Sequence, residues 1–246
     1  MKLHHRWAAA LVLVAVPAVA HAQLVNVGPG SFTPLAPTIT FSEFGLGTTN
    51  PSFTFNDIPG LGNVTVSFAG AFVGQTVTGG GVRTLTGDPT GPLALDTEEE
   101  TFIVGDGSNP TSPVLSGTPT FNGPIAILFS QPVAGVGLDG GFFNAIGGTT
   151  IAAFGSNGQF LGSILNSQLG IEFYGLRTVS GENEIAGVAF FITGPEPAGF
   201  AIDNVTFGSA RQIVDPNVVP EPATYALLGT GLLGLGAFGR MRRREG

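Results

Sequence analysis

The reactive side chains of this sequence are nearly all carboxylates. Its three histidines, His4, His5 and His21, fall within the first 21 residues, its single tryptophan is Trp7, and it has no cysteine. The two methionines, Met1 and Met241, stand at the extremities. Ser-His-Asp triads, cysteine nucleophiles, His-ligated zinc or copper and disulfide redox sites therefore lack an essential part in the interior of the chain. Two kinds of chemistry remain. One is a carboxylate pair of the type that hydrolyses glycosides; the other is coordination of a hard cation by oxygen. Asp139, Glu172, Glu182 and Glu184 are the candidates for an acid pair, against the plain reading of scattered surface acids. Asp96 to Glu100 and Gly105 to Asn109 flank a short apolar run. The second segment lacks the spacing and closing glutamate of a calcium loop, so both read as solvated acidic loops.

The two ends of the chain carry addresses. Lys2, His4, His5 and Arg6 form a basic start, and Trp7 to Val19 is apolar with one interruption at Pro17. Ala20-His21-Ala22 supplies the small residues of an A-x-A cleavage site, which makes residues 1–22 a signal peptide and Gln23 the first mature residue. The shortness of the apolar run favours cleavage over an uncleaved anchor, and export through the secretory translocon follows. At the other end stands Val219-Pro220-Glu221-Pro222. Residues 223–239 carry no charge, and residues 240–246 hold Arg240, Arg242, Arg243 and Arg244. As a helix the uncharged stretch spans roughly 25 Å, at the low end of what crosses a bilayer. The arginines hold the cytoplasmic side and leave the body outside.

This tail resembles the PEP-CTERM sorting signal of Gram-negative bacteria, in which a Pro-Glu-Pro motif, a Gly- and Leu-rich transmembrane helix and a basic end follow in this order. The resemblance covers residues 219–246 only. It implies processing by a membrane transpeptidase of the exosortase type, with cleavage near Pro220-Glu221-Pro222. Transient anchoring in the inner membrane is then followed by delivery to the cell envelope, outer surface or extracellular matrix. Tails of this kind also carry an ice-binding label. An ice-binding body would show flat, evenly spaced threonine ranks, and Thr48, Thr49, Thr76, Thr78, Thr84 and Thr86 are not periodic.

Between the two signals, Gln23 to Val219 holds three cations, Arg83, Arg177 and Arg211, no lysine, and 15 carboxylates, for a net charge of −12. Nucleic acid and anionic lipid headgroups are excluded as partners of a basic patch. A body of this length buries enough apolar surface to do without disulfides. Gly and Pro are frequent, and no segment sustains a 3.6-residue apolar period. Short alternating or β-branched runs instead predict strands at 38–44, 63–73, 101–104, 125–129, 133–138, 150–154, 160–164, 171–174, 185–192 and 200–207. Asn157-Gly158 marks a tight hairpin turn between two of them. The near-continuous apolar runs at 125–129 and around Phe190-Phe191 suit central strands. The expected architecture is all-β: a β-sandwich over residues 23–208, with phenylalanine as its main core material, a linker over 209–218 and the sorting signal over 219–246.

The second half of the body carries a looser resemblance. Phe129 to Leu138, Ile151 to Gly155, Phe173-Tyr174-Gly175, Ile185 to Phe190 and Phe200 to Phe207 follow the order of the jelly-roll, carbohydrate-binding-module-like bodies that often precede PEP-CTERM tails. The resemblance implies first and last strands side by side with a structural calcium between them. Its ligands here would be Glu43, Asp203 and Asn204; the plain alternative is that Asp203 caps a turn or binds backbone amides. Sugar recognition usually leans on exposed Trp or Tyr, and the body offers only Tyr174. The function expected is that of a non-enzymatic exported envelope or matrix protein, structural or adhesive and associated with exopolysaccharide. The alternatives are a carbohydrate-binding module of jelly-roll type and an acid-pair glycoside hydrolase.

Overall fold

The computed structural model describes residues 23–214. The expected signal peptide with Ala20 and Ala22, the motif Val219 to Pro222 and the arginine cluster lie outside the described residues. Seventeen strands form among the described residues. They are β1 (Leu24–Asn26), β2 (Thr38–Ile39), β3 (Ser52–Ile58), β4 (Gly62–Ala69), β5 (Ala71–Phe72) and β6 (Thr76–Thr78). Next come β7 (Thr84–Thr86), β8 (Leu95–Asp96), β9 (Thr101–Val104), β10 (Val114–Gly117), β11 (Ile125–Val133) and β12 (Gly135–Phe143). The last five are β13 (Thr149–Phe154), β14 (Phe160–Leu165), β15 (Gly170–Thr178), β16 (Ile185–Ile192) and β17 (Ala201–Gly208). No helix among the described residues is long and apolar enough to cross a membrane.

Two antiparallel sheets face each other. The first has the order β1-β15-β12-β17-β10-β9, with β2 also paired to β17; the second runs β14-β13-β16-β11-β4-β3. The chain is thus an all-β sandwich. The β2–β17 pairing, Ile39 against Val205 and Thr38 against Thr206, sets the early and last strands side by side. Between the sheets lies a core rich in aromatic rings, among them Phe41, Phe68, Phe143, Tyr174, Phe190, Phe200 and Phe207, all fully buried. β11 and β16 are inner strands of the second sheet and pair with each other, Ile127 opposite Val188. The Asn157-Gly158 hairpin joins β13 to β14 with Ile151 opposite Ile164, and Gly158 takes a φ of 79° that a Cβ would strain.

The outer faces of the two sheets differ. The segment that carries β5 to β8 folds over the outside of the second sheet. There Phe72 and Leu85 pack with Ala126, Ala152, Phe154 and Ala189 in a second apolar cluster. Arg83 ties this cover down through its ion pair with Glu99 at 2.8 Å. With both faces buried, β16 is apolar almost throughout. The first sheet keeps an accessible outer face, and the candidate site lies there.

Two sequence expectations need correction. The strand expected over 38–44 stops at Ile39. Thr40 gives its N–H to the Glu43 carboxylate, and Phe41 adopts a φ of 56° that turns its ring into the core against Phe53 and Phe68. The linker expected from Ser209 does not begin there. Ser209 and Gln212 are buried, the Ser209 hydroxyl donates to Pro59 O at 2.6 Å, and Ile213 bridges to Phe32. Residues 209–214 are the closing edge of the sandwich. They lie at the same end as Gln23, since Gly208 pairs with Gly135 while Thr178, the partner of Leu24, bonds to Ala134 O.

Candidate functional site

β12 and β17 run antiparallel at the centre of the first sheet and place Asp139 directly opposite Asp203. Like charges in that position repel, so their environment has to compensate. A bulge in β17 between Asp203 and Thr206, opposite Gly137 to Asp139 of β12, accompanies the pair. Asn204 takes the left-handed conformation, with φ at 49°, which asparagine tolerates better than most residues. In that conformation Asn204 Nδ2 donates to Asp139 Oδ2 at 2.8 Å, and its backbone N–H donates to Asp203 Oδ1 at 2.7 Å. Asp203 Oδ2 meets Thr111 Oγ1 at 2.5 Å.

Asp203 is fully buried, and loss of hydration pushes its carboxyl up to about 6. The hydrogen bonds from Thr111 and Asn204 oppose that rise, while the charges of Asp139 and Glu43 add to it. The sequence reading anticipated a carboxyl that binds a backbone amide; it did not reveal that the cross-strand partner is Asp139.

The expected calcium ligands do not assemble into a metal centre. The Glu43 carboxylate is turned to Thr40, whose N–H and hydroxyl it accepts at 3.1 and 3.3 Å. Asn204 points its amide nitrogen, a donor, at Asp139. Among the described residues no three acidic, histidine or cysteine side chains gather closely enough to hold a metal ion, whereas calcium takes six to eight oxygens. EDTA is accordingly expected to leave the thermal midpoint of the protein unchanged; a fall of several degrees, reversed by added calcium, would contradict this geometry.

Beside the acidic pair the sheet opens into a groove of about 410 Å³, lined by Phe32, Thr38, Asp139, Phe173, Asn204 and Thr206, with Pro29 to Ala36 as one bank. Phe32 and Phe173 meet edge to face, with ring centroids 5.9 Å apart. Gly137 makes room for both. A Cβ there would run into the Phe173 ring and come within 2.9 Å of Phe32. The groove therefore combines two half-buried rings with an edge of carboxylate, amide and hydroxyl groups. Its volume is in the range of small-molecule sites.

The other acids considered from sequence are braces. Glu172 accepts from the N–H groups of Ser167 and Gln168 and from the Ser167 hydroxyl, and Glu184 accepts from Ser180. Glu182 offers its backbone carbonyl to Thr178. Tyr174, the tyrosine available for sugar stacking, lies in the core. Its hydroxyl shares a hydrogen bond with Thr149, and burial pushes the phenol above its ordinary range. The rings that reach the surface groove, Phe32 and Phe173, carried no signal beyond phenylalanine content.

Among solved structures the chain is similar to a mutant of the family 29 carbohydrate-binding module CBM29-2, with 16% identity and a TM-score of 0.27, over 69% of this chain and 99% of that one. It is similar to a second mutant of that module, complexed with mannohexaose, with 16% identity and a TM-score of 0.26, over 62% and 97% of the two chains. No curated protein matches the chain. The model of the PEP-CTERM protein-sorting motif matches residues 218–244. Residues 218–244 thus carry a segment similar to the PEP-CTERM protein-sorting motif, which indicates export and sorting by an exosortase.

Proposed function

We propose that the sandwich is a non-enzymatic structural or adhesive protein of the cell envelope or extracellular matrix, and that it contacts neutral polysaccharide through the groove on its first sheet. The secretory translocon exports it, and the exosortase step frees the body from its inner-membrane anchor. The observation that supports contact with sugar is the placement of Phe32 and Phe173 against Asp139, Asn204 and Thr206. Apolar ring surface beside hydrogen-bonding groups suits the apolar faces and hydroxyl rims of sugars. The net charge of −12 on the body disfavours acidic polysaccharides. Phenylalanine lacks the polar handle of Trp or Tyr, so the contact is weak and suited to many copies on a matrix.

Affinity electrophoresis against a panel of neutral and acidic polysaccharides tests this reading. Retardation on at least one neutral polymer is expected. The Phe173→Ala variant should bind it roughly three- to tenfold more weakly, at an unchanged far-ultraviolet spectrum. No retardation on any polymer would leave the structural role without a glycan contact. Equal retardation of the variant would move the contact away from the groove.

A further inference from the structure

The apolar surface that begins in the groove continues past it. On β15, Phe173 and Ile171 stand two residues apart and point to the same, outer face of the first sheet. Ile171 is 37% exposed, and Leu169, just ahead of the strand, is exposed as well. The neighbouring strand β12 carries one extra residue at this level. Gly140 pairs with Glu172 and Phe143 with Gly170, so Gly141 and Phe142 together oppose Ile171. This bulge sends two adjacent rings to opposite sides. Phe143 enters the core against Tyr174 and Phe190, whereas Phe142 stays 48% exposed. Its ring lies beside β15, where a Cβ on Gly170 would come within 3.7 Å of it.

Next to Phe142 lies a hollow of about 130 Å³, with Phe121, Gly141 and Gly199 in its wall and Asp106 and Ser108 as its polar members. The pattern of the groove is thus repeated: an aromatic ring beside carboxylate and hydroxyl groups. The two places are consecutive along one strand, since Asp139 lines the groove and Gly141, two residues on, lines the hollow. From Gly137, under Phe32 and Phe173, to Phe142 the strand covers about 15 Å. A disaccharide is too short to touch both ends. The strip follows a strand and is therefore straight. A β-1,4-linked chain of pyranoses extends as a flat ribbon that can follow such a track, whereas an α-1,4-linked chain coils away from it.

We propose, on the polysaccharide reading of the groove, that the sugar site extends along β12 and β15 to Phe142, and that its ligand is an uncharged β-1,4-linked chain long enough to cover Phe173 and Phe142 together. Phe142 is the distal platform, and Ile171 fills the apolar surface between the two rings. Asp106 and Ser108 supply hydrogen-bonding groups at the distal end, as Asp139, Asn204 and Thr206 do at the other. A carboxylate at each end repels an acidic chain.

Titration calorimetry on the full-length protein in detergent tests this with cellohexaose, xylohexaose and maltohexaose against cellobiose and xylobiose. At least one β-1,4-linked hexasaccharide is expected to bind roughly tenfold more tightly than its disaccharide, and more tightly than maltohexaose. Phe142→Ala should weaken that hexasaccharide roughly three- to tenfold and leave the disaccharide as in the wild type. Phe142→Tyr keeps the ring and should bind as the wild type does, while Phe173→Ala should weaken both ligands. Equal affinity for long and short chains, or a hexasaccharide indifferent to Phe142→Ala, overturns the extension and leaves the groove reading in place. Retardation on a neutral polymer with no binding of either β-1,4-linked hexasaccharide overturns the assigned linkage and again leaves the groove reading in place. Binding of no oligosaccharide and no polymer overturns both.

Discussion

Phe190→Ala is expected to cost about 3–5 kcal/mol of folding stability, the largest loss of any single truncation in the sandwich. Phe190 is fully buried at the centre of the second sheet, flanked by Ile125 on β11 and Ile151 on β13. Its ring crosses to the first sheet and meets Tyr174 at 5.0 Å and Phe143 at 6.2 Å, and it stacks edge to face with Phe200 at 4.7 Å. Gly140 on β12 leaves the space this ring occupies, since a Cβ there would approach it to 2.9 Å. Truncation therefore removes ring contacts to both sheets and leaves a cavity whose walls are strands that cannot collapse inward. Chemical denaturation should show the loss with an unchanged slope, and Phe190→Leu should recover more than half of it. A loss below about 1 kcal/mol would mean that the two sheets are held together elsewhere.

The same geometry explains what the sequence disclosed and what it concealed. Strands with strong local patterns were legible. Ile185–Ile192 is apolar along its length because the β5–β8 cover buries its second face, and Asn157-Gly158 declares its turn through backbone conformation alone. β2 was read too long because Phe41 continues the alternation of Ile39, yet its positive φ bends the chain. β1, β3, β6 to β8 and β10 passed unread; all but β3 are two to four residues long and carry too little periodicity to register, whereas the seven-residue β3 was missed although Phe53 and Phe55 alternate along it. The closing segment 209–214 looked like a linker by composition. Burial of Ser209 and Gln212 depends on partners at Pro59 and Phe32, about 150 and 180 residues upstream, which no local pattern records.

The candidate site was half legible for a related reason. Asp203 and Asn204 stood out as a polar pair in an apolar strand. Their partners were out of view. Asp139 is joined to Asp203 only by strand register, and Thr111 comes from a loop that composition marks as solvent-exposed. Glu43 was placed with them by resemblance; in the fold it acts on Asp203 through charge alone, while its oxygens serve Thr40. A sequence shows which residues are unusual, and long-range pairing decides what they are unusual for.

Stability should depend on pH in a way that one substitution removes. Asp203 titrates near 6 in the fold and near 3.9 in the unfolded chain. Below about pH 4 both states hold the proton and the favourable contribution is complete. Between 4 and 6 the unfolded chain gives up its proton while the fold keeps it, so stability falls as the pH rises. Above 6 the fold loses it too, and the contribution is gone. The span is worth about 3 kcal/mol. Asp203→Asn is neutral throughout and can keep an acceptor for the Asn204 N–H. The stability of the variant relative to wild type should therefore climb by about that amount between pH 4 and pH 7, and urea denaturation at the two values measures it. A difference that stays flat would mean that Asp203 is already ionised in the fold at pH 4. Near neutral pH the fold carries an anion that asparagine would relieve, set directly against Asp139.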